Sequence, residues 1–265
     1  MKAAIFSDIH ANLDALEAVL KDMEQRGGVD EVWCLGDIVD YGPEPRECLH
    51  LIRDLQGTCI AGNHDLAVAG KLNLIDFPPM VASITRWTAS QLEREDKDYL
   101  EGLPLTLERG DFTLAHGSPR DPIWEYLLSA KEAEENLKYF KTPYCLIGHS
   151  HIPLLFECNN YCSMIELTPD IDPRHIGNWM NFEKFAEKNK PDDTEIKLGE
   201  RRLIINPGGI GQPRDGDPRA AYAIYDSEAQ TVTRFRVEYN VSLTQQKMAK
   251  IGHPEWLIAR LAEGR

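Results

Sequence analysis

Residues 2–10 read KAAIFSDIH, a short β-rich run that ends at a polar turn. Residues 12–25 follow with apolar side chains at helical spacing, which predicts an amphipathic helix that ends at Gly27 and Gly28. A strand followed directly by such a helix is the first part of a βα unit. We therefore expect the chain to begin as an α/β domain.

The same alternation continues through the N-terminal third of the chain. Residues 30–36 and 58–61 predict two more strands, and residues 44–55 predict the helix between them. Each predicted strand ends at a turn that contains Asp, His or glycine, and open α/β sheets bind ligands at that end of their strands. These turns are therefore the first place to look for a functional site.

The rest of the chain predicts more elements of both kinds and one irregular segment. The expected elements are a helix at 78–103, strands at 112–116, 144–149, 202–206, 220–225 and 231–237, and a helical tail at about 242–262 with a break near 252–254. Residues 168–199 have poor apolar periodicity, so we expect an insertion or flap there that docks through Trp179, Phe182 and Phe185. The whole chain, residues 1–265, is expected to be a single domain.

Composition limits the possible partners. The chain has 29 Lys and Arg against 43 Asp and Glu, a formal charge of −14, which disfavours long nucleic acid and anionic lipid as partners because both bind clustered basic residues. No apolar run approaches the ~20 residues that cross a bilayer, so we expect a cytoplasmic protein that is not inserted in a membrane. The six cysteines could pair, but a chain of this length does not need disulfides, so most are expected to be buried thiols. The spacing of Cys158 and Cys162 alone is a weak zinc signal.

Five of the eight histidines lie in five short blocks at the ends of predicted strands. The blocks are DIH at 8–10, GD at 36–37, GNHD at 62–65, HG at 116–117 and GHSH at 148–151. Carboxylate oxygen and neutral imidazole are ligands for divalent ions such as Zn, Mn or Fe, and these blocks carry too many for one ion. Two ions about 3.5–4 Å apart, bridged by one carboxylate, would use them all, and this arrangement serves phosphoryl chemistry.

Together these blocks resemble those of the calcineurin-like metallophosphoesterase superfamily. Residues 7–13 and 36–43 are similar to its compact bacterial and archaeal branch of small phosphodiesterases and phosphatases, and residues 206–214, NPGGIGQPR, resemble the C-terminal motif of that branch. The resemblance implies a four-layer α/β/β/α sandwich of two mixed sheets, with a dinuclear metal site at one edge.

The resemblance also implies a role for each site residue. One metal ion would be held by Asp8, His10 and His151, a second by Asn63, His116 and His149, and Asp37 would bridge the two. The ions would be Mn, Fe or Zn, since such ligands accept several metals. His64 would be the catalytic histidine that is not a ligand, with Asp65 orienting it, and Asn12 and Arg214 would contact phosphate oxygens. The sequence departs from the branch at Asp40 and Gly209, where glycine and a small hydroxyl residue are common.

The expected function is hydrolysis of a small phosphodiester or phosphomonoester by a hydroxide that bridges the metals, with a diester such as a small or cyclic nucleotide preferred. A Ser/Thr protein phosphatase or a dinucleoside polyphosphate hydrolase is the alternative, and it would need a broader groove or more cationic residues. The arginines that could supply them are Arg120, Arg174, Arg201, Arg202 and Arg219. A binding scaffold without activity is a third possibility, although every expected ligand is present.

Overall fold

The computed structural model describes residues 1–159, 161–166 and 193–265, and within them the chain forms twelve strands and eight α-helices. The strands are β1 (Lys2–Phe6), β2 (Glu31–Cys34), β3 (Thr58–Cys59), β4 (Thr106–Arg109), β5 (Phe112–Ala115), β6 (Tyr144–Leu146), β7 (Leu154–Cys158), β8 (Cys162–Glu166), β9 (Asp193–Lys197), β10 (Arg202–Asn206), β11 (Ala220–Asp226) and β12 (Thr231–Val237). The helices are α1 (Leu13–Gln25), α2 (Pro45–Asp54), α3 (Asn63–Val68), α4 (Pro79–Gln91), α5 (Arg94–Glu101), α6 (Ala130–Asn136), α7 (Val241–Lys250) and α8 (Glu255–Glu263).

The strands form two mixed sheets. The first has the order β3-β2-β1-β11-β12-β9, in which β1, β2 and β3 are parallel and β11 is antiparallel to β1. The second has the order β4-β5-β6-β10-β7-β8, in which β5, β6 and β10 are parallel. Each sheet thus has a parallel centre, and the loops that follow those parallel strands carry the predicted site residues.

Alternation along β1 shows how the layers pack. Ala3 and Ile5 belong to an apolar cluster with residues of the second sheet, such as Phe112, whereas Ala4 and Phe6 belong to a cluster with α1 and α2. Successive side chains of a strand point to opposite faces, so the first sheet lies between those helices and the second sheet. The outer face of the second sheet packs against α6. The fold is therefore the four-layer α/β/β/α sandwich that the resemblance implied.

The helix predicted over 78–103 is two helices. Leu92 after α4 has extended backbone angles, and Glu93 begins α5 with a capping box in which the Asp96 side chain accepts from the Glu93 backbone N–H. A capping box satisfies backbone donors that a continuous helix would pair internally, so it starts a new helix. The acidic residues Glu93 and Asp96 within the predicted helix are therefore the signal that starts a second helix.

The predicted insertion at 168–199 overlaps the first sheet at its C-terminal end. Residues Asp193–Lys197 form β9, which pairs with β12 in the register Val232 to Ile196. Ile196 is buried between exposed neighbours, which is the pattern of an edge strand that packs one face on the core. Residues 193–197 therefore belong to the sandwich, whereas the aromatic residues expected to dock the flap lie outside the described residues.

The expectation that the chain needs no disulfide is wrong for one pair. Cys158 and Cys162 form a disulfide, and they face each other in the register of the antiparallel pair β7 and β8. The other four are buried free thiols: Cys34, Cys48, Cys59 and Cys145. Four residues of sequence separation do not reveal a hairpin, so the approach of the two sulfurs becomes visible only once β7 and β8 are paired.

The C-terminal tail forms α7 and α8, which contact each other and pack on the side of the sandwich that carries α1 and α4. Met248, Leu257 and Leu261 join an apolar cluster with Tyr41 and Phe77. The tail is thus seated next to the loop after β2. Among the described residues, no helix is both long and apolar enough to cross a bilayer.

Candidate active site

The loops after β1, β2, β5 and β6 bring acidic and imidazole side chains from both sheets to one place. Two groups of ligand atoms, each with all its atoms within 4.8 Å of one another, are formed by Asp8, His10, Asp37 and His151 and by Asp37, His116 and His149. Asp37 belongs to both groups. Asn63, at the start of α3, places its Oδ1 atom 3.2 Å from His116 Nε2, so all seven predicted ligands are brought together.

The backbone that carries these groups is strained. Among the described residues, ten other than glycine have positive φ, and eight of them lie in the loops of this site: Asp8, His10, Ala11, Asp37, Asp40, Tyr41, His149 and His151. Each such residue costs on the order of 1–3 kcal/mol, and this cost persists only where the surroundings impose the conformation. Here the loops hold each other, since Asp8 N–H donates to Gly36 O at 3.1 Å and Gly211 N–H donates to Asp8 O at 2.9 Å.

Three of the imidazoles are oriented by backbone carbonyls. The pairs are His10 Nδ1 with Val39 O (3.2 Å), His116 Nδ1 with Leu35 O (2.8 Å) and His151 Nδ1 with Gln212 O (2.6 Å). A carbonyl oxygen only accepts, so Nδ1 carries a proton in each ring and Nε2 is the nitrogen that faces the site. This is the tautomer in which histidine binds a metal through Nε2.

The arrangement of these atoms fits divalent cations. His10 Nε2 and His151 Nε2 are 3.0 Å apart, and two lone pairs at that distance repel each other unless a cation lies beside both. His149 Nε2 is buried and has no hydrogen-bond partner within the described part of the chain, and the buried Asp37 Oδ2 lies 3.2 Å from His116 Nε2. Buried polar atoms nearly always have a partner, so His149 Nε2 is placed to bind an ion. Oxygen and imidazole nitrogen together suit Mn, Fe or Zn.

The protonation states agree with this interpretation. Burial is the largest influence on three of the histidines and lowers their pKa values well below the usual range: His10, His149 and His151. Burial alone would raise the pKa of Asp37, but the charges of His116 and His64 outweigh it and hold that pKa well below its usual range. Those three imidazoles are therefore in the neutral form that binds metal. His116 differs: burial alone would lower its pKa, but the charge and hydrogen bond of Asp37 outweigh it and raise that pKa to about 9, so a cation that binds there would displace a proton.

His64 is the second residue of α3, directly after Asn63, and its ring is oriented by Asp40. Its Nδ1 donates to Asp40 Oδ2 at 2.7 Å, and Asp40 also accepts from the hydroxyls of Thr85 at 2.6 Å and Thr88 at 3.2 Å, both on α4. Burial lowers the pKa of His64, but the charge of Asp37 and the hydrogen bond to Asp40 outweigh it, so the pKa is raised. His64 is therefore held in one orientation, and its surroundings favour the protonated ring more than water does.

The prediction that Asp65 orients His64 is wrong. The Asp65 carboxylate accepts from the backbone N–H groups of Asp37 at 2.7 Å, Ile38 at 2.9 Å and Gly62 at 3.1 Å, so it fixes the loop after β2. Neighbouring side chains on a helix point about 100° apart, so adjacency in α3 does not bring Asp65 to the His64 ring. The residue that orients the His64 ring is Asp40. Its sequence signal was that it occupies a position where the family resemblance implied glycine.

The prediction that Asn12 contacts phosphate is contradicted by its hydrogen bonds. Its Oδ1 accepts from Ala15 N–H at 3.1 Å, as the N-cap of α1, and from the Thr244 hydroxyl at 3.3 Å. Its Nδ2 donates to Gly211 O at 2.8 Å and to the Tyr239 hydroxyl at 3.2 Å. The amide therefore joins α1 to the C-terminal segments, and an N-cap role is the common one for an asparagine before a helix.

Arg214 lies beside the ligands. Its backbone N–H donates to His151 O at 3.2 Å, and its guanidinium donates to Gln212 Oε1 at 3.0 Å. It also hydrogen-bonds the Tyr126 side chain, whose ring stacks on His149 with 4.0 Å between centroids. Tyr126 carried no signal in the sequence, since it lies in an irregular stretch between β5 and α6.

An aromatic strip extends from His64 to the surface. Phe77 contacts the His64 ring edge-on with 5.5 Å between centroids and contacts Trp124 at 5.1 Å. Trp124 is 38% exposed, so the strip is open to a ligand at its outer end. The residues come from two separate loops, and only the packed structure brings them next to His64.

The arginines considered for a broader groove bond elsewhere. Where the structure describes them, the partners are Glu125 and Glu135 for Arg120, Glu157 for Arg201, the carbonyls of Leu137 and Phe140 for Arg202, and Asp217 for Arg219. Arg174 lies outside the described residues. A different arginine, Arg260 on α8, acts electrostatically on Arg214, Tyr41 and Tyr126 instead. Nothing in the sequence around Arg260, which lies near the end of α8 and 46 residues after Arg214, indicates that the two residues interact.

Known proteins with similar sequences and structures agree with this geometry. The sequence-family model of the calcineurin-like phosphoesterases matches residues 1–192 of this chain. A metallophosphoesterase from Sphaerobacter thermophilus is 44% identical, with a TM-score of 0.80 over 100% of this chain and 99% of that one. An uncharacterized protein of Methanocaldococcus jannaschii is 37% identical over 99% of this chain and 98% of its own length.

A more distant match comes from a named enzyme. The symmetrical bis(5'-nucleosyl)-tetraphosphatase of Actinobacillus pleuropneumoniae is 28% identical over 52% of this chain, and the match spans about half, 53%, of that enzyme. The family match covers the loops that carry the seven candidate ligands, and the relatives in Sphaerobacter and Methanocaldococcus extend the similarity over nearly the whole chain. The chain therefore belongs to the calcineurin-like phosphoesterase family and is a phosphoric ester hydrolase.

Proposed function

We propose that the protein hydrolyses a small phosphodiester or phosphomonoester with two divalent metal ions bound in the cluster around Asp37. The observation that carries this proposal is that Asp37 belongs to two groups of buried ligand atoms from different sheets. A single metal site needs only one such group, whereas two sites that share a carboxylate form the arrangement suited to phosphoryl transfer. Bound ions would supply Lewis acidity and lower the pKa of a coordinated water.

We divide the ligands between the two ions as the family resemblance implies. One ion would be held by Asp8, His10 and His151, the other by Asn63, His116 and His149, and Asp37 would contact both. The ions are proposed to be Mn, Fe or Zn. The hydrogen bonds from Nδ1 to backbone carbonyls support this assignment because they keep the Nε2 atoms directed at the site.

His64 is proposed to donate a proton to the leaving oxygen as the P–O bond breaks. Its imidazolium form is stabilised by Asp40, which both accepts its Nδ1 proton and is itself fixed by two threonine hydroxyls. A proton donor within reach of the leaving group contributes about 10²- to 10⁴-fold to such reactions. The imidazolium also adds positive charge where the phosphate would bind.

The substrate is proposed to carry an aromatic group such as a nucleoside. The support is the strip of Phe77 and Trp124, which begins at His64 and therefore lies on the leaving-group side of the site. A partly exposed tryptophan offers a flat apolar face for a base. Dinucleoside polyphosphate hydrolysis is the second candidate, and the observation that favours it is the 28% identity, over 52% of this chain, to a symmetrical bis(5'-nucleosyl)-tetraphosphatase.

The test is a substrate and metal panel on the purified protein. After removal of metal with a chelator, the protein would be loaded with Mn, Zn or Fe(II) and assayed with p-nitrophenyl phosphate, bis-p-nitrophenyl phosphate and a dinucleoside tetraphosphate. We expect cleavage only after loading, and the ratio of the three rates assigns the substrate class. If the loaded protein binds metal but cleaves none of these esters, the scaffold interpretation replaces the enzyme.

A further inference from the structure

The imidazole of His149 is held differently from those of the other predicted histidine ligands. A backbone carbonyl accepts from Nδ1 in each of the others, which are His10, His116 and His151. Within the described part of the chain no carbonyl accepts from the His149 ring, and its buried Nε2 has no hydrogen-bond partner. The His149 backbone N–H donates to Asp8 Oδ1 at 3.1 Å. That bond fixes the backbone of His149 but leaves the rotation of its ring to other contacts.

Tyr126 packs on the face of that imidazole. The two ring centroids are 4.0 Å apart and the ring planes differ by 24°, whereas His116 meets the His149 ring edge-on with 5.0 Å between centroids. The last torsion of a histidine side chain has only weak intrinsic preferences, so neighbouring groups decide the orientation of the ring. A rotation of the imidazole would drive its edge into the tyrosine ring. The stack therefore limits the orientation of His149.

The loop of residues 117–126, which follows β5, places Tyr126 on this face. Gly117 N–H donates to Pro122 O at 2.8 Å, so the loop closes on its own beginning. A Cβ added at Gly117 would lie 3.0 Å from Glu125 O, and such close packing needs glycine there. The backbone directly before Tyr126 is thus packed against the start of the same loop.

Tyr126 is also held on both sides along the chain and in space. The carboxylate of Glu125, its neighbour, accepts from the Ser118 hydroxyl and from Asn136 Nδ2, which is 3.0 Å away on α6. The Tyr126 side chain is hydrogen-bonded to Arg214. A ring that is fixed at its backbone and at its hydroxyl end keeps its position, so it can orient a group that packs on its face.

We propose that Tyr126 is a positioning residue for the metal site: its ring holds the His149 imidazole in the orientation in which it meets the other ligand atoms. The proposal rests on the proposed function, because it concerns the ion assigned to Asn63, His116 and His149. It adds to that function a residue outside the ligand set. The stack takes the part that a backbone carbonyl takes for the other three histidines. Groups that orient a ligand change metal affinity about 10- to 100-fold.

The test compares three variants in titrations with Mn(II) after a chelator has removed bound metal. Tyr126→Leu removes the ring, Tyr126→Phe keeps the ring without its hydroxyl, and Tyr139→Leu removes a tyrosine that is 48% exposed. Electron paramagnetic resonance measures free Mn(II). We expect Tyr126→Leu to weaken binding of one of the two ions about 10-fold and to change the other by less than about 2-fold. Both affinities should stay within about 2-fold in the other two variants.

Three results of the titration would overturn the proposal. The first is an unchanged pair of Mn(II) affinities in Tyr126→Leu. The second is an equal loss in Tyr126→Phe, because the hydrogen bond to Arg214 and not the ring stack would then be responsible. The third is an equal loss for both ions, which would indicate a general change in structure.

Excess metal separates positioning from misfolding. With bis-p-nitrophenyl phosphate, Tyr126→Leu should need about 10-fold more Mn(II) for half-maximal activity, and its kcat at saturating Mn(II) should return to within about 3-fold of the original value. A loss of kcat that persists at saturating Mn(II) would contradict a role in holding the ligand.

A crystal structure of each metal-free variant tests the same role without an ion. We expect the His149 ring to rotate or to take two orientations in Tyr126→Leu and to keep its orientation in Tyr126→Phe. An unmoved ring in Tyr126→Leu would overturn the proposal. If the original protein binds fewer than two ions or cleaves no ester, the proposed function fails, and the orientation of His149 still decides the role of Tyr126. If Tyr126→Leu does not fold, Tyr126→Met replaces it, because methionine is flexible and has no ring.

Discussion

The loops after β1, β2, β3, β5 and β6 carry all seven candidate metal ligands, whereas the segment from 206 to 265 carries none of them. That C-terminal segment instead contributes contacts that hold or surround the ligands: Gly211 N–H bonds Asp8 O, Gln212 O orients His151, and Arg214 and Arg260 place positive charge nearby. The N-terminal region also coincides with the family match at 1–192. The candidate ligands therefore belong to the first region, and the second region contributes contacts that position them.

The largest expected effect tests the chemical region. Asp37→Asn should lower kcat/KM for bis-p-nitrophenyl phosphate by about 10³-fold or more, because both proposed metal positions lose a shared anionic ligand. Metal content, measured by plasma mass spectrometry after dialysis, should fall from two ions per chain. The control is Asp54→Asn, at an exposed position at the end of α2. Full activity and two bound ions in Asp37→Asn would remove the basis for the dinuclear site.

The next effect concerns the orientation of His64. Asp40→Asn should lower kcat by about 10- to 100-fold with little change in KM, because His64 loses the carboxylate that holds its Nδ1 proton. The loss should be larger for a phenyl ester than for a p-nitrophenyl ester, since a poor leaving group depends more on protonation. Equal losses with both esters would mean that Asp40 supports the structure of α4 and not proton transfer.

A smaller effect tests how the C-terminal region is attached. Gly264→Ala should lower the free energy of unfolding by about 1–3 kcal/mol, because the position has φ +63 and an added Cβ would meet the Asp217 backbone. Gly110→Ala is the matched control, with φ +55 and open space around its Cβ position. Urea denaturation measures both. If both variants lower the free energy of unfolding by the same amount, the contact between Gly264 and the 215–217 loop does not contribute to stability. The packing of α8 against that loop would then be contradicted.

The smallest expected effect is on stability, at the contact between α2 and α5, where His50 and Arg53 bind the Asp96 carboxylate away from the ligand loops. Burial alone would raise the pKa of Asp96, but hydrogen bonds from His50 and from Glu93 N–H outweigh it, so the pKa is lowered. A carboxylate with a lowered pKa in the folded state stabilises the protein above its unfolded pKa of about 3.9, and this stabilisation is lost as the pH falls through the lower folded value.

Asp96→Asn should therefore cost about 1 kcal/mol of unfolding free energy at pH 7, and the difference from the original protein should shrink as the pH falls below about 4. Thermal unfolding between pH 7 and pH 3 measures it. A difference that stays constant over this range would show that the carboxylate charge at Asp96 does not contribute. Activity at pH 7 should be unchanged, because this joint does not touch the ligand loops.

Much of the N-terminal region followed from local pattern. The first strand and helix, the turns that carry Asp8 and Asp37, and the histidine blocks are each short, and each shows its role through spacing along the chain. By contrast, the partner of His64 depended on how α4 packs, because Asp40 is fixed by threonines 45 and 48 residues away. The cytoplasmic location, the single-domain organisation and the exclusion of long nucleic acid stay predictions.

Chemical type and position at a strand end are local properties, so the fold family and the residues that can bind metal were predictable from the amino-acid sequence. Which of those residues share a ligand group depends on how the two sheets pack, and so do the contacts of Asp65 with the loop after β2 and of Asn12 with the C-terminal segments. These facts depend on contacts between segments up to 232 residues apart, as between Asn12 and Thr244, and hydrogen-bond partners at such separations leave no periodic trace in a single sequence.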